Sequence, residues 1–84
     1  MIDYLLGESK CLEFEIEAEG EFTIQSTEYR IYYNDDCIIK GTPQISGKFL
    51  TVWFEPTEKG GYMLELEVVI GQTKDISRVY IAVH

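Results

Sequence analysis

The chain has 84 residues, enough for one hydrophobic core and too few for two. Fifteen Asp and Glu stand against seven Lys and Arg, a net charge of −8, which argues against nucleic acid or an anionic membrane surface as partner. No apolar run approaches the ~20 residues of a membrane helix, and the start, Met1-Ile2-Asp3-Tyr4-Leu5-Leu6-Gly7, lacks the basic and long apolar stretches of a secretory signal, so a soluble domain made in the cytoplasm is expected.

Period-two patterning runs through the chain. Leu12, Phe14, Ile16 and Ala18 alternate with Glu13, Glu15, Glu17 and Glu19; a helix would smear both sets around its circumference, so a half-buried strand is predicted. Gly20 ends it, and residues 21–24 form a short strand or turn-flanked edge. Residues 27–33 are rich in β-formers, with Tyr29, Ile31 and Tyr33 on one side. Asn34-Asp35-Asp36 turns the chain, and residues 37–40 return as a hairpin closed by Gly41. Pro43 limits residues 42–46 to an edge segment, because proline cannot donate to a ladder.

Gly47-Lys48 turns into residues 49–54, where Leu50, Val52 and Phe54 share one face and Phe49, Thr51 and Trp53 the other. After a turn over 56–61, residues 62–70 point Tyr62, Leu64, Leu66, Val68 and Ile70 inward. Gly71-Gln72 provides a tight hairpin into a last strand over 77–83, with Val79, Ile81 and Val83 inward. Ile76 falls out of that phase, which predicts a bulge or a loop anchor. No helix is expected.

About seven short antiparallel strands with regular turn signals predict an all-β domain, an immunoglobulin-like β-sandwich in preference to a small barrel. The preference rests on Glu58-Lys59-Gly60-Gly61-Tyr62, the form of a tyrosine corner in which the phenol bonds back to nearby backbone. The antibody-type disulfide is missing, since Leu64 stands where a cysteine would follow Tyr62. Cys11 and Cys37 are expected to be free thiols, buried or half-buried. With no CxxC and His84 alone at the end of the sequence, a zinc site is not supported.

The glutamate row is the most unusual feature. Its members would sit about 7 Å apart, each adjacent pair repelling by at most roughly 0.6 kcal/mol in water. A solvated strand face that deters edge pairing explains it, with cross-strand neutralisation by Lys74 or Arg78 compatible. Docking to a basic surface on another protein is the functional alternative. Calcium fits less well, because a flat strand spreads carboxylates that the ion needs wrapped around it. Asn34-Asp35-Asp36 is explained by turn chemistry. No nucleophile with an adjacent base, no carboxylate pair across a cleft and no phosphate loop can be identified, so neither catalysis nor a cofactor is expected.

Tyr32, Phe49, Trp53 and Tyr80 fall opposite the clearest apolar sets. They either cover the rims of the sandwich or form an aromatic patch for a protein or sugar, with Trp53 at its centre. The order of signals, with Tyr29-Arg30-Ile31-Tyr32, Lys40-Gly41-Thr42, Ile45-Ser46-Gly47-Lys48, Val52-x-Phe54-x-Pro56, Lys59-Gly60-Gly61-Tyr62-x-Leu64-x-Leu66 and Val68-x-Ile70-Gly71, resembles the small immunoglobulin-like modules of tailed-bacteriophage structural proteins, including the N-terminal domain of baseplate upper proteins. The resemblance spans about residues 7–83. It implies a virion or prophage structural role and protein–protein contacts, with no catalytic residues to carry over.

Overall fold

The computed structural model describes residues 1–17 and 20–84. These hold eight strands and no helix: β1 (Ile2–Tyr4), β2 (Lys10–Glu15), β3 (Ile24–Tyr33), β4 (Asp36–Gly41), β5 (Gln44–Ser46), β6 (Phe49–Phe54), β7 (Gly60–Ile70) and β8 (Thr73–Val83). They form a five-stranded sheet, β1-β8-β7-β3-β4, and a three-stranded sheet, β2-β6-β5. The fold is therefore all-β with two sheets. The strand count is one above the expected seven, and β1 pairs parallel to β8, so the strands are not all antiparallel.

Alternation explains the packing. Leu50, Val52 and Phe54 of β6 are buried, as are Leu64 and Ile81 of the large sheet, and Leu12, Val52 and Phe54 meet Ile31, Tyr62, Leu64, Ile81 and Val83 in one cluster between the sheets. Each such side chain contributes about 1.5–3 kcal/mol on leaving water. The β3–β4 hairpin turns through Asn34 and Asp35, both at positive φ (51° and 66°), as a two-residue turn that matches the twist of its strands requires. The β7–β8 hairpin turns at Gly71 (φ 61°) and Gln72.

Three further expectations are corrected. The first long strand stops at Glu15, and Ile16 only donates its N–H to Lys48 O, at 2.8 Å. Its partner β6 begins at Phe49, opposite Glu15, so no strand remains to extend the ladder; Ala18 and Glu19 lie outside the described residues. Ile76 sits in regular register opposite Glu67, with no bulge, in a β8 that starts at Thr73. The pattern inverts there because the small sheet leaves the inward positions Thr73, Asp75 and Ser77 exposed. The ladder slips lie instead in the β3–β4 pair, where Ile31 faces Ile39 and Tyr32 faces Cys37, and in the β3–β7 pair, where Ile24 faces Ile70 and Ser26 faces Val69. Both cysteines are free but exposed, because Cys11 shares the outward phase of Glu13 and Cys37 is paired with outward-facing Tyr32.

The expected tyrosine bond is present. Tyr62 Oη donates to Glu58 O at 2.7 Å, and Tyr33, stacked on Tyr62 with ring centroids 4.5 Å apart, donates to Lys59 O at 2.9 Å. Between them Gly60 has φ 129°, a conformation that strains any residue with a side chain, and a Cβ there would press on the Tyr33 ring at 3.3 Å. Burial raises the Tyr62 pKa. Tyr62→Phe should destabilise by about 0.5–1.5 kcal/mol, the net worth of one hydrogen bond; a denaturation midpoint unchanged from the parent would show that the corner contributes nothing.

Candidate interaction surface

The outward face of the three-stranded sheet gathers Trp53 and Phe49 with Glu13 and Glu15 of the glutamate row. Along β2 it carries Cys11, Glu13 and Glu15; along β6 it carries Trp53, Thr51 and Phe49, paired with them in that order. Trp53 is 56% exposed, a high value for the largest apolar side chain. Glu15 lies 3.5 Å from Lys48 Nζ, which also stands 5.9 Å from the Phe49 ring. Only two members of the glutamate row thus share a strand face with Trp53. Glu17 follows the end of β2, and Glu19 lies outside the described residues.

Lys74 and Arg78 do not neutralise that row. Their strand, β8, pairs with β7 and β1, whereas β2 belongs to the other sheet. They sit on the outward face of the large sheet, Lys74 at 3.7 Å from Glu67 and Arg78 at 3.1 Å from Glu65. Arg30 binds Glu65 through Nε at 2.9 Å and Nη2 at 2.7 Å and Glu28 at 3.0 Å, and Lys40 closes on Glu28 at 3.1 Å. The hydrogen bond from Arg30 holds the Glu65 carboxyl below the usual carboxylate range, against the opposing effect of burial. Sequence reasoning missed this lattice; the alternation of Glu28 with Arg30 and of Glu65 with Glu67 on neighbouring strands was its one local signal.

The lattice has an electrostatic consequence for the rest of the molecule. It engages Arg30, Lys40, Lys74 and Arg78, leaving Lys10, Lys48 and Lys59 as the bases elsewhere against most of the acids. The remaining acids are spread over β1, the loops and the small sheet, and Glu13, Glu15, Glu17 and Asp75 come together along the seam between β2 and β8. The aromatics divide between the two sheets. Phe49 and Trp53 face outward from the small sheet, while Tyr32 and Tyr80, the latter 63% exposed, face outward from the large one. They make two separate surfaces.

Among the described residues, no group of three or more His, Cys, Asp and Glu is arranged to hold a metal ion. Asn34 and Asp35 are accounted for by the backbone of their turn. What the surface offers chemically is a flat aromatic contact flanked by carboxylates, suited to noncovalent recognition.

No family model matches the chain, and no curated protein matches it. Among solved structures it is similar to an engineered protein of the Northeast Structural Genomics Consortium, with a TM-score of 0.79 at 11% identity. The alignment covers 99% of this chain and 18% of that one, so the chain spans a small part of that protein's length. At this identity the likeness concerns the fold alone.

Proposed function

We propose that the chain is a non-enzymatic docking module of immunoglobulin-like topology, a structural or interaction component of a phage or prophage particle. The topology is supported by the strand orders. β8-β7-β3-β4 facing β2-β6-β5 corresponds to the G-F-C-C′ and B-E-D strands of such domains, and Tyr62 opens the strand that would be F. The phage role follows the sequence resemblance. The observation that carries the docking function is Trp53, exposed opposite Cys11 on a strand face that also carries Glu13 and, at its far end, Glu15, since an exposed tryptophan is the side chain most able to anchor an interface.

The test uses proteins encoded next to this gene, titrated against the chain while Trp53 emission is followed. A tail or capsid component should shift or quench the emission, with affinity falling as salt is raised. Trp53→Ala should weaken that complex by about thirtyfold or more, the loss expected of an interface hot spot. Flanking genes without particle components, or unchanged emission with all their products, would sink the reading.

A sugar-binding role is the second reading, favoured by the same exposed Trp53. It receives no help from Tyr32 or Tyr80, which face away on the other sheet. A glycan panel that quenches Trp53 would establish it in place of protein docking.

A further inference from the structure

We propose that the free edge of β8 accepts an extended strand from a partner protein, one whose side chains alternate between basic and apolar. This rests on the reading of the chain as a protein-docking module and names a second surface of it. β1 covers β8 only from Ile81 to Val83. Among the described residues, nothing pairs with the outer edge of β8 from Thr73 to Tyr80. The backbone polarity of that edge follows from the β1 junction. His84 donates its N–H to Tyr4 O and accepts from Leu6 N–H, so its amide and carbonyl both point away from β7. Backbone groups alternate sides along a strand, and β8 keeps an unbroken register with β7. Lys74, Ile76, Arg78 and Tyr80 therefore present unpaired N–H and C=O groups on the outside, a template for an added strand.

The chemistry of the incoming strand is set on its two sides. On the inner side a groove of about 740 Å³ runs between this edge and β2. Phe14, Ile16, Leu66, Val68 and Ile70 give it an apolar floor; Glu13, Glu15, Glu17 and Asp75 line it, Glu15 already paired with Lys48, and no Lys or Arg lines it. Lysine or arginine side chains suit that side, with their stems over the apolar floor and their charges at Glu17 and Asp75. On the outer side the neighbours are Ile76, 47% exposed, and Tyr80, flanked by Lys74 and Arg78 that are already paired with Glu67 and Glu65. Apolar side chains fit there. The occupant is thus an extended basic–apolar segment of another protein, held by the ladder and selected by charge.

The probe is a synthetic ten-residue peptide of alternating lysine and valine, with amide exchange of the intact chain read by NMR. The peptide should slow exchange at Lys74, Ile76, Arg78 and Tyr80 by about tenfold or more, because those amides gain ladder bonds. A glutamate–valine peptide, or the lysine–valine peptide N-methylated at alternate residues, should slow none of them. Asp75→Lys with Glu17→Lys, both at exposed positions, should weaken binding by about tenfold. No slowing, or equal slowing by the glutamate peptide or the N-methylated one, overturns the proposal. Slowing that grows with protein concentration in the absence of peptide overturns it too, in favour of a second copy at the edge. Trp53 emission separates this proposal from the docking reading: a tail or capsid component that perturbs Trp53 while the four amides stay unprotected refutes the edge alone. Peptide protection with Trp53 silent to every such component upholds the edge and refutes the Trp53 face.

Discussion

Tyr4→Ala should destabilise the domain by about 3–5 kcal/mol, the cost of deleting a buried aromatic side chain. Tyr4 is 1% exposed. Its ring meets Phe54 edge-on at a centroid distance of 5.6 Å, and its hydroxyl donates to Phe54 O at 3.2 Å. Lys10 covers the outer side of the ring at 4.7 Å while donating to Asp3 O. The backbone is tied as well, since Tyr4 O accepts from His84 N–H at 2.9 Å. Tyr4 is thus the main core anchor of β1, which is otherwise held by its three-residue ladder with β8 and by the partly buried Ile2. Against a total stability of about 4–12 kcal/mol for a domain of this size, the variant should be marginal. Urea titration with an unchanged slope would report the loss directly. Tyr4→Phe separates packing from the hydroxyl and should cost about 0.5–1.5 kcal/mol. A Tyr4→Ala loss below about 1 kcal/mol, within the range of ordinary surface substitutions, would mean that β1 is an ornament on the sheet.

That strand was illegible in the sequence for a physical reason. Ile2 and Tyr4 alternate around Asp3, but three residues give periodicity too little length to show. The strand exists because β8 offers it an edge, which is a tertiary fact. By contrast, Leu50, Val52 and Phe54 alternate with Thr51 and Trp53 over a full strand, and the phase alone places Trp53 outside. Residues 62–70 were legible for the same reason, and Tyr62 because its bond closes over four residues. The glutamate row was legible only as far as its neighbour allows, since pairing stops where β6 begins. Glu65 was placed outward correctly by alternation, yet it is buried. What covers it are Arg30 and Arg78, whose positions depend on two different strands lying beside β7.

Glu65→Gln is the second substitution with a large expected effect, about 1.5–3 kcal/mol at neutral pH, the range for a hydrogen bond to a charged group. Both carboxylate oxygens are engaged, Oε1 by Arg30 and Oε2 by Arg78 Nε. The glutamine keeps the volume but leaves two guanidinium groups facing a neutral amide. Its signature is the pH dependence. The pKa of Glu65 is lowered in the folded chain, so at acid pH the unfolded state takes up this proton first, from about pH 4.3 downward. The stabilisation by Glu65 is therefore complete above that value and is lost as pH falls towards and through the folded pKa. As pH falls below about 4.3 the parent should lose stability more steeply than the variant, and the gap between them should narrow. Lys40→Ala, at the exposed end of the same lattice, should cost under about 1 kcal/mol. It should also leave the acid slope nearly unchanged. If the parent and Glu65→Gln curves instead run parallel from pH 7 to pH 3, the lattice is a surface decoration. In that case the low exposure of Glu65 reflects covering by neighbouring side chains without electrostatic coupling to them.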